Sequence, residues 1–500
     1  MRSSTRRGAL LGAALITLAG TALRAWMLDR WLDYDEAFTY LRFASYTLPH
    51  AFSNYSFPNN HIFHTVLVWC STHALGLSVT SLRLPALLAG CALIPLTFCL
   101  GRVLAGNAAG LIASALVAGS SLLAQYSVMA RGYSVQAALF VASLLMVPRL
   151  VERPGWRPAL ALMVLLSLAM LTVPTLVYGA GSVFAWGLLL ALRPPAERPR
   201  RLLWLSAAGA GSALLTAVLY APAIAFMRSN RVTWGKPYAI DGASFYHDLY
   251  DYFAAYLPDF ALLVLLGLIG AGAVYELTRL RRVPTVLPWL GVPLVALTIH
   301  LMVATRPPFP RTFIFLMPLL CALAGAAAQQ LWSPWPRMAR ASSAACALVS
   351  ALLLVWTAAP GHAEHLRLLQ PMYPNTRWLF DQLVVPMQGR DELSLHSLQM
   401  RPLLVYAIID HIPLTMMDMG FRLERAQRLT LDMRAAPSLM YLGQRFTVLA
   451  ASESERDRLP LPRMVKARVR AGLLEWTAIR QLKAQSGPDP VLWELRLKPR

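Results

Sequence analysis

Long apolar runs constrain the fold of this chain more than any other feature. Runs of about 18 or more apolar residues recur through the first 359 residues, and a helix of that length spans the hydrocarbon core of a bilayer. Of the 500 residues, 57% are hydrophobic and only 14% are charged, whereas about a quarter are charged in a typical soluble domain. The sequence therefore predicts a polytopic α-helical membrane protein.

The positions of the basic residues predict its topology. The net charge of +21 arises mainly from arginines in short segments between the apolar runs. The positive-inside rule places these segments in the cytoplasm together with Arg2, Arg6 and Arg7. The first run is interpreted as an uncleaved span, although residues 22–25 loosely resemble a signal-peptidase site. We expect about eleven spans, at 8–28, 83–101, 108–127, 134–150, 158–175, 176–192, 202–222, 259–277, 285–304, 312–332 and 341–359.

Two long loops are expected outside the membrane, at 29–82 and 228–259. The apolar run 61–77 is interpreted as an interfacial or re-entrant helix, because counting it as a span would invert every later loop. Residues 1–359 then form a transmembrane domain, and residues 360–500 form a small extracytoplasmic α/β domain. In that domain, strands are expected at 403–409, 445–451 and 492–497, and helices at 375–384 and 463–474.

Several functional classes are not supported by the sequence. A basic groove interleaved with aromatic residues, as in nucleic-acid-binding proteins, is absent. The five cysteines are scattered through apolar runs without metal or disulfide spacing. No Walker loop or dinucleotide fingerprint occurs, so no nucleotide cofactor is expected.

The first external loop carries two adjacent carboxylates, Asp35 and Glu36. Carboxylates at a membrane edge are costly unless they serve a purpose, and one close to a reacting hydroxyl can act as a general base. Alternatively, the pair is solvated at the interface or caps the helix that follows.

Two histidines lie further along the same loop. His61 and His64 are three residues apart, which places them on one helix face and allows shared metal binding. Alternatively, they are interfacial residues hydrogen-bonded to the loop backbone. Asn59 and Asn60 precede them and either cap that helix or bind the hydroxyls of a ligand.

Three arginines are expected on the external side, where isolated arginines are otherwise few. Arg131 lies between two spans, and Arg306 and Arg311 flank a proline-rich turn. Buried or interfacial arginines at such positions are typical partners of phosphate or carboxylate groups. For Arg306 and Arg311, the alternative is snorkelling to lipid phosphates.

Taken in order along residues 8–330, these motifs resemble the integral-membrane glycosyltransferases with the GT-C fold. Within that superfamily, the sequence is most similar to the family of protein O-mannosyltransferases and aminoarabinose lipid A transferases. The motifs that carry the resemblance are Asp35-Glu36, Pro58-Asn59-Asn60-His61, Ser81-Leu82-Arg83-Leu84-Pro85, Ala130-Arg131-Gly132-Tyr133 and the turn from Arg306 to Arg311.

The resemblance implies a polyprenyl-phosphate sugar donor and catalysis at the outer face of the membrane. It implies that Asp35 is the base, with Glu36 as its neighbour, and that Arg131, Arg306 and Arg311 hold the donor phosphate. Many relatives use a divalent metal ion, for which His61 and His64 are the candidates here. However, no Asp follows Tyr133 closely, and His61 lacks the prolines and tyrosine that often follow it in relatives. Sugar contacts are expected from Tyr34, Asn59, Asn60, Tyr133 and Lys236.

The sequence thus favours an inverting hexosyl- or pentosyltransferase of the bacterial cytoplasmic (inner) membrane. Its acceptor would be the hydroxyl of a lipid, a glycan or a protein. The first alternative is an oligosaccharide ligase or polymerase that uses lipid-diphosphate donors. A transporter or flippase is less favoured, because transporters usually show internal repeats and charged residues within their spans.

Overall fold

The structure is a computed structural model, and it divides into two compact units. The first comprises Met1–Arg30 and Arg42–Leu369, and the second comprises Trp31–Leu41 and Gln370–Arg500. The residues that it describes are 2–28, 32–193, 197–232, 242–256, 259–278, 287–303, 308–332, 393–395, 405, 409, 439–442, 445–450, 474–481 and 491–497.

Helices make up most of the described chain up to residue 332, with short π-helical turns at Tyr40–Ala44 and Leu287–Gly291 and a 3₁₀ turn at Pro310–Phe313. In chain order the α-helices are α1 (Arg2–Trp26), α2 (Tyr34–Thr39), α3 (Leu48–Ser53), α4 (Ile62–Leu75), α5 (Val79–Ala105), α6 (Asn107–Gly119), α7 (Ser121–Ser127), α8 (Tyr133–Glu152), α9 (Trp156–Thr172), α10 (Leu176–Ala191), α11 (Arg198–Ser229), α12 (Gly242–Ala254), α13 (Asp259–Thr278), α14 (Val292–Val303) and α15 (Leu316–Trp332).

The prediction of a helical protein with recurrent apolar helices is confirmed. Among the described residues, four helices are long and apolar enough to cross a membrane, namely α1, α5, α8 and α11. A fifth span results if α6 and α7, which meet at a bend of 63°, are counted as one. The number of spans therefore stays a prediction. The last expected span, 341–359, lies outside the described residues.

Local sequence signals explain where α5 begins and ends. Ser78 accepts a hydrogen bond from the Ser81 amide at 3.0 Å, and the Ser81 hydroxyl accepts one from the Ser78 amide at 2.9 Å. This reciprocal cap satisfies two amides of the first turn that would otherwise lack partners. Gly106 ends the helix with a φ of +96°, a conformation that residues with a Cβ rarely adopt. The chain can therefore reverse at once into α6.

Helix α4 is an apolar helix of 14 residues, shorter than the roughly 20 residues that a span needs. It coincides with the run that the sequence predicts to be interfacial or re-entrant. Gly76, with a φ of +76°, ends it. We therefore treat α4 and the turn before it as lying outside the membrane-spanning segments.

In the second unit, the described strands form one antiparallel sheet. The strands are β1 (Leu393–Leu395), β2 (Leu439–Leu442), β3 (Arg445–Ala450), β4 (Leu474–Gln481) and β5 (Val491–Leu497). Their order in the sheet is β1-β2-β3-β5-β4. The expected strands at 445–451 and 492–497 coincide with β3 and β5, whereas the expected run 403–409 and the expected helices at 375–384 and 463–474 fall almost entirely outside the described residues.

Candidate functional site

The expected base lies in the first turn of α2, in the second unit. Asp33 is the N-cap of this helix, and its Oδ1 accepts a hydrogen bond from the Asp35 amide at 2.8 Å. In return, Oε2 of the buried Glu36 accepts one from the Asp33 amide at 2.8 Å. This is the capping box that an Asp-x-x-Glu spacing allows. The carboxylate of Glu36 is thus engaged in the cap, whereas Asp35 contributes its amide to the cap and lies half-buried.

Other site residues that the structure describes lie in the first unit. Asn60 lies in the turn before α4. Asn60 is 1% exposed and donates to the carbonyls of Ala51 at 3.0 Å and Asn54 at 2.8 Å. Its Oδ1 accepts from the Thr65 hydroxyl at 2.7 Å. The carboxamide of Asn60 therefore holds together the turn between α3 and α4.

Arg131 lies against this turn although it is 72 residues away in sequence. Its Nη1 donates to the carbonyl of Asn59 at 3.4 Å, and its guanidinium carbon lies 5.6 Å from the centre of the Tyr133 ring. The side chain is only 3% exposed. A buried guanidinium is costly unless charged or polar groups compensate it, and the Asn59 carbonyl and the face of the Tyr133 ring are two such groups.

A second contact joins the same two segments. The amide of Gly132 donates to Nδ1 of His61 at 2.9 Å, and the rings of His61 and Tyr133 meet edge to face with centroids 4.9 Å apart. His61 is the residue immediately before α4. We call His61, His64, Arg131, Tyr133 and Arg311 the histidine–arginine cluster.

The electrostatics of this cluster keep its histidines neutral. Burial, and after it the charge of Arg131, lowers the pKa of His64 to about 3. Burial, then the charge of Arg131, the proximity of the second titratable ring of His64 and the charge of Arg311 hold the pKa of His61 well below its usual range. Among the described residues, neither ring nitrogen of His64 has a hydrogen-bond partner. The positive charge of the cluster is therefore carried by its arginines.

Arg311 belongs to the 3₁₀ turn that precedes α15. Its guanidinium carbon lies 4.9 Å from the centre of the Phe309 ring, and the side chain is half-buried. After burial and the effects of Arg131 and His64, the charge of Arg311 also lowers the pKa of His61. Arg306 and Lys236, two other expected ligand-binding residues, lie outside the described residues.

The two histidines do not fit a divalent metal ion in this arrangement. A neutral imidazole has one protonated nitrogen, and because Nδ1 of His61 accepts the Gly132 amide, the proton must lie on Nε2. A metal ligand needs an unprotonated nitrogen, which His61 does not offer here. In the part of the chain that the structure describes, no three His, Cys, Asp or Glu side chains form a group that could hold a metal.

Helix α12, which lies within the second expected loop, is linked to Tyr133 of the histidine–arginine cluster through tyrosines. The hydroxyl of Tyr252 donates to that of Tyr126 at 2.6 Å, and the ring of Tyr126 packs edge to face on Tyr133 with centroids 5.1 Å apart. Ser121 adds a hydrogen bond to the carbonyl of Tyr256 at 2.6 Å. Sequence reasoning missed Tyr126, which lies inside an apolar run without a distinguishing pattern.

Comparison with known proteins gives structural similarity only. No family model matches the sequence, and no curated protein matches it. The structure is similar to that of ArnT from Cupriavidus metallidurans in the apo state, with 14% identity, 81% of this chain and 76% of that chain covered, and a TM-score of 0.48. It is also similar to the same protein bound to undecaprenyl phosphate, with 16% identity, coverage of 80% and 76%, and a TM-score of 0.45.

A third similar structure is the oligosaccharyltransferase AglB from Archaeoglobus fulgidus, in complex with an inhibitory peptide and a dolichol-phosphate. The identity is 14%, the TM-score is 0.45, and 77% of this chain is covered, but only 58% of that chain. At this level of similarity we transfer no residue role from either protein.

Proposed function

We propose that this protein is a membrane glycosyltransferase that moves one hexosyl or pentosyl group from a polyprenyl phosphate to an acceptor hydroxyl. The observation that carries the proposal is the buried Arg131, which lies beside two neutral histidines and shares its cluster with Arg311. The charges of Arg131 and Arg311 both act on His61, and a pair of guanidinium groups in one region suits the binding of a phosphate.

The leaving group explains why cations are needed there. A lipid phosphate leaves as an anion, so its departure requires stabilisation of charge rather than a proton from an acid. Guanidinium groups bind phosphate oxygens through parallel N–H donors. Arg131 and Arg311 therefore hold the phosphate, with Arg306 completing the set. The neutral His64, whose ring nitrogens have no partner among the described residues, adds hydrogen-bonding capacity without a further positive charge.

The acceptor requires a base, and Asp35 is assigned that role. Its carboxylate accepts the proton of the acceptor hydroxyl as the new glycosidic bond forms. Glu36, whose carboxylate caps α2, supports the position of Asp35. One base and one lipid-phosphate leaving group suffice for a single displacement, which inverts the anomeric centre. Tyr34, Asn59, Tyr133 and Lys236 are proposed to contact the sugar, whereas the buried carboxamide of Asn60, also expected from the sequence to do so, is used by the turn before α4.

The proposed location is the bacterial inner membrane, with the N-terminus in the cytoplasm. Catalysis would take place at the outer face, and the loop 228–259 would cover the donor. The acceptor is a lipid, glycan or protein hydroxyl. A divalent metal ion has no part in this proposal, because the described donor groups do not fit one.

Binding of the lipid phosphate tests the site. The purified protein in nanodiscs would be titrated with undecaprenyl phosphate and, in parallel, with undecaprenyl diphosphate. Arg131→Gln and Arg311→Gln should each weaken binding of the monophosphate about 10- to 100-fold, as expected for the loss of a charge-assisted hydrogen bond. Arg157→Gln is the matched control, because Arg157 is exposed and stacks on Trp156.

Two outcomes would overturn this assignment. Unchanged binding by both Arg131→Gln and Arg311→Gln, with the melting temperature retained, would remove the cluster as the phosphate site. Marked preference for the diphosphate would favour the oligosaccharide ligase or polymerase instead. If Arg131→Gln does not fold, Arg131→Lys keeps the charge but loses the paired donors, and it should bind with intermediate affinity.

A further inference from the structure

We propose that His61 is the positioning residue for Arg131, and that it acts as a neutral hydrogen-bond acceptor for the Gly132 amide rather than as a metal ligand. The inference deepens the proposed function and rests on it, because Arg131 is taken to hold the lipid phosphate. His61 itself is assigned no contact with the donor. It acts through the backbone that carries the arginine.

The contact between His61 and Gly132 leaves no room for a larger residue. A Cβ at position 132 would lie 2.9 Å from both Cβ and Nδ1 of His61, and 2.6 Å from Cγ2 of Thr172. Carbon atoms that are not bonded to each other pack at about 3.5–4.0 Å. Glycine therefore allows the backbone of this turn to approach the imidazole closely enough for the hydrogen bond of 2.9 Å.

The turn that carries Arg131 is held on both sides of that arginine. Before it, the Arg131 amide donates to the carbonyl of Met129 at 2.7 Å. After it, Gly132 and Tyr133 both contact His61, through the amide and through the ring. Because His61 immediately precedes α4, the imidazole fixes the position of the turn that carries Arg131 relative to that helix.

The same hydrogen bond determines the tautomer of His61. A backbone amide can only donate, so Nδ1 must carry a lone pair and Nε2 the proton. Protonation of Nδ1 would break the bond and add a third positive charge to those of Arg131 and Arg311. Burial together with these two guanidinium groups disfavours that state. A neutral, tautomerically defined imidazole is the form that holds the turn.

Substitution by asparagine separates positioning from metal binding. The Oδ1 atom of asparagine lies close to where Nδ1 of histidine lies, so it can still accept the Gly132 amide, but it is a poor ligand for a transition metal. His61→Ala removes the acceptor. His73→Ala is the matched control, since His73 is exposed on the same helix.

Two measurements on the full-length protein in nanodiscs decide the question. In His61→Ala, the peptide 129–134 should exchange its amide hydrogens faster, and undecaprenyl phosphate should bind about ten-fold more weakly, the usual cost of one lost hydrogen bond. His61→Asn should restore both protection and affinity. If His61→Ala does not fold, nitrogen-15 histidine spectra of the wild type should show an Nε2–H tautomer for His61.

The proposal is overturned if His61→Asn is as impaired as His61→Ala and the wild type, unlike both variants, carries stoichiometric metal by elemental mass spectrometry. It is also overturned if exchange and binding are unchanged in a folded His61→Ala protein. A different result would show that the proposed function is wrong while the positioning role of His61 is right. The wild type would then not bind undecaprenyl phosphate, whereas amide exchange in the peptide 129–134 would still become faster in His61→Ala and return to the wild-type rate in His61→Asn.

Discussion

The guanidinium of Arg24, in the first helix, donates from Nε to the hydroxyl of Ser127 at the end of α7, over a distance of 3.1 Å. The same side chain is fully buried and also donates to the carbonyls of Val117 at 3.1 Å and Ala118 at 3.2 Å. These carbonyls lie at the end of α6, where a helix leaves its last carbonyls without internal partners. Arg24 thus provides hydrogen-bond donors for the carbonyls at the bend between α6 and α7. It also links α1 to α7, the helix that precedes the turn carrying Arg131.

Replacement of Arg24 by methionine should destabilise the protein by about 2–4 kcal/mol, since the carbonyls of Val117 and Ala118 would remain buried without partners. Thermal or denaturant unfolding in detergent would measure the loss. Arg7→Met is the control, because Arg7 lies exposed on the same helix. Equal unfolding midpoints for the two variants would show that the bend does not depend on Arg24.

Gly132→Ala should weaken undecaprenyl phosphate binding and lower the melting temperature together. The added Cβ must displace either the imidazole of His61 or the methyl group of Thr172, at a cost of about 1–3 kcal/mol for overpacking. Gly155→Ala is the matched control, because a Cβ there would meet no atom within 4 Å. A Gly132→Ala protein with wild-type affinity would mean that the turn can shift without consequence.

Asn60→Asp should destabilise the turn between α3 and α4 by about 2–3 kcal/mol. Aspartate cannot donate, so the carbonyls of Ala51 and Asn54 would lose their partners and face a carboxylate oxygen instead. Unfolding measurements would compare it with Asn230→Asp, since Asn230 is exposed at the end of α11. Comparable, small effects in both variants would contradict the structural role of the Asn60 carboxamide.

The protein should lose stability as the pH falls below about 6.5, in part because of His64. Its pKa is about 3 in the folded state, against about 6.5 in an unfolded chain. The unfolded state therefore binds the extra proton between these values, and stability declines by up to about 1.4 kcal/mol per pH unit. Above pH 6.5 the contribution is constant.

His64→Leu should flatten this decline when unfolding is measured at pH 7, 6, 5 and 4. His73→Leu, at an exposed position on the same helix, should leave the slope unchanged. An unaltered slope in His64→Leu would show that His64 is not buried and neutral in the folded protein.

The positions of the helices could be predicted from the sequence, because an apolar run and the arginines that flank it are local features of the chain. The site was predicted less completely. Spacing placed His61 and His64 on one helix face, but His61 precedes α4 and turns its Nδ1 toward Gly132, 71 residues away. Such long-range hydrogen bonds leave no periodic signal.

Two arginines illustrate the same limit. Arg131 could be singled out because it is isolated on a side where arginines are few. Arg24 is equally isolated within an apolar run, but nothing local indicates that its partners are helix carbonyls more than 90 residues away. The capping box of α2 could be predicted from the sequence, since Asp33 and Glu36 have the required spacing.

Sugar transfer with Asp35 as the base is tested most directly by single-turnover sugar release from a panel of radiolabelled polyprenyl-phosphate sugars, with wild type and Asp35→Asn compared in nanodiscs. We expect the wild type to turn over one donor, and we expect EDTA not to abolish the reaction. Asp35→Asn should lose at least about 100-fold in rate, as expected for removal of a general base, while it still binds undecaprenyl phosphate. Wild-type turnover by Asp35→Asn, or no turnover of any donor by the folded wild type, would contradict this proposal.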